Sequence, residues 1–552
     1  MDSHSSIEIE RTTGPIQSAE NRIEDTEPHI EEPPAFQHSW SVLSIFLVLC
    51  LFSFLSALDG TIITTSLPTI TRDIEGGKQL YLWVAQSFLF ASTVPQPLYG
   101  QIANIFGRRN PFLVAIVLFA LGSGISGGAS SPSMLIAGRT VQGLGSAGLC
   151  VLSDIIICDV VPPRNRGGYL SAVLTSAAIG STMGPVVGGA LAEANWRWIF
   201  YLNVPISFFG LIIMIFLLNV SYTRSPTWLH ALKRVDFIGA LIFIPSTISL
   251  FLGLITGGVQ HPWSSWRVIL PLVLGVVGSA SYHLYEATPS LCPSPSTPPR
   301  LFQNRTSATG FLLVFLSSIM VQAIAYFLPL YFQGVKLVSP LLSGVYYLPF
   351  ALAIMPFAGF GGWALSRYGR YIPLHYCGFG LLAIGAGLFS TLSAESSRGA
   401  WIGFQIIASA GIALIFTSTM PSTLAPLKEE DVAVATATYS FVRSLGDGGA
   451  YAFAAEGNGV RGLGDEETKG QVIEVYIRAL RVVWLVMVAV ALLGFVSVPV
   501  ERHIELGKSH ETEFGLERSA KGKTSGLKRG DRNEGEIASA DEKRTALETI
   551  TA

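Results

Sequence analysis

Charge is scarce in this chain. Only 13% of its 552 residues are Asp, Glu, Lys or Arg, while 50% are hydrophobic. Soluble domains carry about 25% charged residues, so a water-soluble globule is excluded and an all-α polytopic membrane protein is expected. Cysteine is scarce as well. Cys50, Cys150, Cys158, Cys292 and Cys377 are scattered without pairing or metal-ligand spacing, which argues for packing thiols and against a disulfide frame. No Walker sequence, nucleotide fingerprint, His/Cys metal cluster or nucleophile elbow occurs. The chain is therefore expected to be neither an enzyme nor a cofactor protein nor a nucleic-acid binder, and any transport must draw on an ion gradient. The first 38 residues lack the basic start and apolar centre of a cleavable signal, so the first span is expected to serve as an uncleaved one.

What the chain does have is apolar runs. About 20 residues cross a bilayer as a helix, and such runs fall at 40–58, 80–103, 110–129, 133–157, 168–192, 198–219, 237–257, 267–285, 309–332, 341–365, 371–392, 399–421 and 480–500; a fourteenth, 432–455, is poor. Lys and Arg concentrate in the loops after even-numbered spans, among them Arg108, Arg109, Arg164, Arg166, Arg234, Arg367 and Arg370. The positive-inside rule places those loops and the N-terminus in the cytoplasm. The sequons at Asn219 and Asn304 would then face inward and stay unglycosylated.

An internal repeat divides the membrane part. Gly100 to Arg109, GQIANIFGRR, matches Gly362 to Tyr371, GWALSRYGRY, with the same gap between glycines. Such halves are how many secondary transporters are built, with the substrate between them. The second copy ends the tenth span, not the eighth, so two spans must be inserted. The expected organisation is a disordered acidic tail at 1–38, a six-helix bundle at 39–220, two inserted helices at 235–287, a linker at 288–308, a second bundle at 309–500 and a disordered charged tail at 503–552.

Several polar residues stand out against this background. Asp59 ends the first apolar run, with the pattern continuing to Ile70. A carboxylate within a span is costly, so it is paired, protonated or functional, and a group that gains and loses a proton there suits coupling. Arg139 lies about a turn into the fourth span, with Gln142 on the same face. Gly180, Gly184 and Gly188 form a bare stripe on the fifth span, with Pro185 and Gly189 marking a kink. Asp154 and Asp159, near Arg164 and Arg166, read as surface ion pairs that hold a loop, and Asp236 as a helix-start anion. Trp83, Gln86 and Gln96 on the second span and Gln322, Tyr326, Tyr331 and Gln333 near the ninth are candidates to line an apolar pocket.

These strings carry a family resemblance. GSTMGPVVGG at 180–189 is similar to the GxxxGPxxGG fifth-helix signature of drug/proton antiporters of the major facilitator superfamily. The WRWIFYLNVP that follows resembles the start of their sixth helix, LDGTII around Asp59 their LDxTIV motif, and RTVQGLG at 139–145 their RxxQGxG motif. The repeat resembles the cytoplasmic gating motif GxLADrxGRR, formed here by Gly100, Asn104, Gly107, Arg108 and Arg109. Where the family most often has Asp, this chain has Asn104, which turns a charged latch into a neutral hydrogen bond. GQIANIFGRR, SPLLSGVYYLP at 339–349 and VIEVYIRALRVVW at 472–484 are similar to fungal members.

The resemblance implies a major facilitator fold with two six-helix bundles and two extra central helices, the fourteen-spanner layout. It implies a proton-driven exporter of small amphiphilic organic compounds working by alternating access, monomeric and cofactor-free, in the plasma membrane or the vacuolar one. In it Asp59, Arg139 and Gln142 couple to protons, and a fixed cation facing Asp59 would hold the carboxylate ready to exchange its proton. An uptake carrier of the same superfamily, such as a siderophore importer, is the rival reading. A second rival is a transport-dead member, because residues 432–446 span only fifteen positions before Asp447, too few to cross. If that helix fails to span, the last helix reverses and the C-terminal tail faces outside.

Overall fold

The computed structural model describes residues 40–74, 77–218, 227–258, 260–451 and 466–506. The N-terminal tail, nearly all of the C-terminal tail and Asn219 lie outside the described residues.

The first half of the chain forms α1 (Trp40–Asp73), α2 (Gly77–Thr93), α3 (Gln96–Phe106), α4 (Arg109–Gly127), α5 (Pro132–Val160), α6 (Arg166–Asn195), the short α7 (Trp198–Tyr201) and α8 (Asn203–Leu217). A short α9 (Trp228–Lys233) leads to the hairpin α10 (Phe237–Thr256) and α11 (Trp266–Glu286). The second half forms α12 (Arg305–Gly334), α13 (Pro340–Tyr368), α14 (Ile372–Phe389), α15 (Arg398–Leu424), α16 (Glu429–Tyr451) and α17 (Glu466–Ser497). Side-chain caps open many of them. Ser131, Asp236, Ser265, Asn304, Ser339 and Ser397 each accept from a first-turn N–H, filling donors that a helix start leaves open. Asp236 is thus the helix-start anion expected, and Asn304, one of the two sequons, is a cap.

Among the described residues, eleven helices are long and apolar enough to cross a membrane, or twelve when α6, bent by 44° between Gly184 and Val186, counts as one span. The bend falls at Pro185, which withholds an N–H from the helix ladder. Two further helical stretches fall short of that apolar measure: α2 with α3, which break before Gln96, and α16.

The two halves repeat one packing scheme. In the first, α1 packs on α6 and α8, α4 on α5 and α8, and α2 on α5. In the second, α12 packs on α16 and α17, α14 on α15 and α17, and α13 on α15. The α10–α11 hairpin sits outside this pairing. Its Phe243, Phe251 and Tyr282 cluster with Phe90 and Val94 beside α2 and with Phe441 and Leu445 of α16.

The repeated string has a physical explanation in each copy. Gly107 and Gly369 both adopt positive φ, 78° and 66°, a conformation other residues enter only with strain. Gly100 and Gly362 are points of contact between bundles: a Cβ on Gly100 would lie 2.6 Å from Ala437 Cβ of α16, and one on Gly362 would lie 2.8 Å from Gly168 Cα of α6. One glycine on each bundle lets the other bundle approach its backbone. Around them the first core continues into Val432, Ala433, Val434 and Ala437 of α16.

The structure departs from the sequence reading at α16. This helix runs 23 residues, about 34 Å at 1.5 Å per residue, instead of the fifteen positions counted at 432–446. Asp447 and the two glycines after it continue the helix, and Arg443 does not interrupt it because its guanidinium meets Asp154. After α17 the chain returns along the loop side of α14: Tyr371 Oη donates to Arg502 O at 2.6 Å and accepts from Ile504 N at 2.9 Å. Arg370 precedes Tyr371 directly, so the end of α17 lies on the side that the basic loops mark as cytoplasmic.

Candidate functional site: a carboxylate and a guanidinium enclosed in the first bundle

The corner between α6 and α8 assembles the site. Trp196 Nε1 donates to Asp73 Oδ2 at 2.8 Å, and Arg197 Nη1 donates to Gly127 O and Ala129 O at 3.0 and 2.7 Å. The Arg197 guanidinium also lies 4.4 Å from the Trp196 ring. These bonds tie the corner between α6 and α7 to the ends of α1 and α4, and Asn203 opens the helix that follows.

At the centre Arg139 Nη1 donates to Asp59 Oδ2, and both side chains are 1% exposed. Asn203 Nδ2 donates to the other carboxylate oxygen, Oδ1, at 2.8 Å. Arg139 Nη1 also donates to Gln142 Oε1 at 2.9 Å, and Nη2 reaches the Asp59 carbonyl at 3.5 Å. Gln142 Nε2 donates to Ser123 Oγ at 2.8 Å, and that hydroxyl donates to Phe119 O. The Phe88 ring covers the guanidinium at 4.0 Å, a cation–π contact that strengthens when water is excluded. Breaking one side of a buried ion pair costs about 3–5 kcal/mol because it strands the other charge. Besides Asp59, Arg139 is held by the Gln142 amide oxygen and by the Asp59 main-chain carbonyl.

Glycines bring the helices close enough for this. A Cβ on Gly122 would lie 2.2 Å from Gln142 N, one on Gly143 2.7 Å from Phe88 O, and one on Gly145 2.3 Å from Phe119 N. On α6, a Cβ on Gly180 would lie 2.3 Å from Phe54 O, and one on Gly184 would lie 2.0 Å from Thr61 Oγ1 and 2.9 Å from Ile62 N. The stripe therefore packs on α1 beside Asp59. Gly188 is buried, whereas Gly189 faces open space.

The gating string lies at the end of the bundles that carries the basic loops. Asn104 Nδ2 donates to Glu430 O at 3.3 Å across the bundles, and Asn104 Oδ1 accepts from Arg108 at 3.2 Å. Arg108, 2% exposed, donates to Asp159 Oδ2 at 2.6 Å, and Arg109 donates to Ile215 O at 2.6 Å. Beside it Arg164 donates to Ser366 O and Arg367 O, carbonyls at the C-terminal end of α13, where a cation is favoured. Ser171 and Thr417 join their hydroxyls at 2.6 Å. The two bundles are thus bound together at the end that carries the basic loops.

The reading of Asp154 and Asp159 as surface ion pairs is corrected. Both are buried; Asp154 meets Arg443 of α16, and Asp159 meets Arg108. The pocket candidates disperse. Tyr331 is 1% exposed, with its hydroxyl donating to Ser393 O, which makes it a packing residue. Gln96 donates to Ser444 Oγ at the bundle interface and Gln333 to Ser343 Oγ. Tyr326 stacks edge-on with Phe327, and Gln322 is half-buried. Trp83 is exposed, and the buried Oε1 of Gln86 has no hydrogen-bond partner. Sequence reasoning missed Asn203, Ser123 and Phe88. Asn203 had one signal, an amide within the apolar run 198–219.

Comparison with known proteins agrees with this architecture. The Major Facilitator Superfamily profile matches residues 49–450. The chain is 45% identical to the MFS efflux transporter aclA of Aspergillus oryzae, over 86% of this chain and 92% of that protein. It is 40% identical to the efflux pump FUS6 of Gibberella fujikuroi, over 86% and 91%. Among solved structures it is similar to the human organic anion transporter MFSD10, with a TM-score of 0.56 and 15% identity over 84% of this chain and 100% of that one, a likeness of fold. The chain belongs to the Major Facilitator Superfamily, and it is a multi-pass membrane transporter, not an enzyme.

Proposed function

We propose that the protein exports small amphiphilic organic compounds in exchange for protons, by alternating access, as a monomer in the plasma membrane of a fungus. The observation that carries this reading is the Asp59–Arg139 pair, enclosed at 1% exposure and held by Asn203 and Gln142. A membrane protein keeps such a pair only at a cost, and a carboxylate with its own cation and a neutral donor is equipped to take up and release one proton. The direction of transport is supported by the relatives, which are named efflux carriers. The glycine stripe of α6 against α1 beside Asp59 supports a link between that carboxylate and helix motion.

In this scheme a proton arriving from outside neutralises Asp59 while Gln142 and the Asp59 carbonyl retain Arg139. The bundles then release the exported compound outward. The proton leaves toward the cytoplasm as the next molecule binds. No cofactor is involved.

The test is accumulation of a panel of fluorescent amphiphiles in cells expressing the chain or its Asp59→Asn variant, with and without a protonophore. Lower accumulation that disappears in the variant and with the protonophore supports the reading. Lower accumulation that persists in both contradicts proton exchange.

A further inference from the structure

The Asp59–Arg139 pair lies wholly inside the first bundle, as does Arg108–Asp159, and His375–Glu501 lies inside the second. Asp154 and Arg443 differ, because one is on α5 and the other on α16, and their contact crosses from bundle to bundle. Asp154 is 3% exposed, and Arg443 Nη2 lies 3.7 Å from its Oδ2. Ser440, one turn before Arg443 on α16, donates to the same oxygen at 3.1 Å. Tyr439, Cys150 and Asp447 are the other titratable groups that act on Arg443.

Two features make this contact more than packing. On the gating string, the α3–α16 contact is neutral: an amide of Asn104 on a main-chain carbonyl. Asp154–Arg443 sets an acid against a guanidinium across the interface with α16. The same face of α5 also carries Arg139, Gln142, Ser146, Cys150 and Asp154 at intervals of three and four residues. Ser56, one turn from Asp59 on α1, bonds Ser146 and lies 3.7 Å from Cys150 Sγ. A continuous polar stripe therefore joins the enclosed Asp59 site to the bridge between the bundles.

We propose that the Asp154–Arg443 bridge, with Ser440, is the charged latch that holds the cytoplasmic side of this transporter shut, and that it opens when the bundles part. Both residues position the bundles and have no part in binding the exported compound. Separation removes Arg443 from a carboxylate that keeps no other cation among its described contacts, and the bridge favours the closed arrangement by the part of its attraction that rehydration of the two groups does not offset. Asn104 and Glu430, being uncharged at their contact, add only geometry.

The latch can be tested without transport and without a proton gradient, so its failure is separable from failure of proton-driven export. Asn165 Oδ1 and Ser366 Oγ lie 3.1 Å apart across the closed cytoplasmic side. Asn165→Cys with Ser366→Cys, oxidised in membranes, reports closure as a disulfide-linked peptide measured by mass spectrometry. The latch predicts that Arg443→Gln lowers the rate of that crosslink about five-fold or more, and that Arg443→Lys, which keeps the charge, retains most of it. Size-exclusion profiles and thermal midpoints confirm that each variant is folded. An unchanged rate in Arg443→Gln overturns the proposal, and so does an equal loss in the Lys and Gln variants, which would make the guanidinium's shape and not its charge the cause. Ser440→Ala, the mildest change, is expected to lower the rate less than Arg443→Gln; a greater loss also counts against the latch.

Discussion

Asn203 Nδ2 stands 2.8 Å from Asp59 Oδ1, so the enclosed carboxylate receives one oxygen's donor from the sixth span and the other's from Arg139 on the fourth. The division matters chemically. Arg139 opposes the charge, while Asn203 fixes the orientation of the carboxyl group.

Asn203→Leu is expected to strand Oδ1 without that donor. The cost to stability is about 1–3 kcal/mol, visible as a lowered thermal midpoint, and export should slow at every substrate concentration. Asn203→Asp places a second carboxylate beside Asp59 and should be worse, since like charges at this distance cannot both ionise. Export rates and thermal melts of the two purified variants check the order.

The glycines of α6 make opposite predictions within six residues. Gly184→Ala drives a Cβ to 2.0 Å from Thr61 Oγ1 and 2.9 Å from Ile62 N, and such overpacking costs about 1–3 kcal/mol. Gly189→Ala meets nothing within 4 Å and should be neutral or stabilising by up to about 1 kcal/mol. Equal thermal shifts in the two variants would show that α6 does not rest on α1 as described.

Restoring the family's acid at the gate should loosen it here. Asn104→Asp removes the donor to Glu430 O and sets a carboxylate against a carbonyl. A loss near 1 kcal/mol is expected in the closed arrangement, read as faster labelling of cytoplasmic cysteine probes at the α3–α16 contact. Slower labelling would mean that the Asp side chain finds Arg108 strongly enough to compensate.

A tag after residue 506 should be reached by antibody only from the cytoplasmic side, because Arg502 and Ile504 bond Tyr371 beside the Arg370 loop. A tag accessible on intact cells would restore the reversed arrangement that a short thirteenth helix implied.

Asp59, Arg139 and Gln142 were legible in the sequence because each is a polar residue in an apolar run, and Arg139 and Gln142 share one helix face at three-residue spacing. The repeat was legible because its glycines answer local demands, a positive φ and a close backbone contact. Asn203 and Ser123 were not, since their roles exist only once α4 and α8 meet α1. The partner of Asp154 was misread for the same reason: Arg443 is remote in the chain, while Arg164 and Arg166 are near. The length of α16 was underestimated because Asp447 and the glycines after it read as a loop, whereas packing against α12, where Gly446 meets Phe315 O, carries the helix through them. The pocket candidates scatter in the structure because an aromatic or an amide on a membrane helix packs as readily as it lines a cavity.

The most direct test of the account is proton release on substrate binding, followed with a pH-sensitive dye in weakly buffered solution of the purified protein. An exported compound that binds the wild-type chain should displace protons, and the same compound bound to Asp59→Asn should displace none. Binding to the wild type without proton release, or equal release from the variant, would contradict the role given to Asp59.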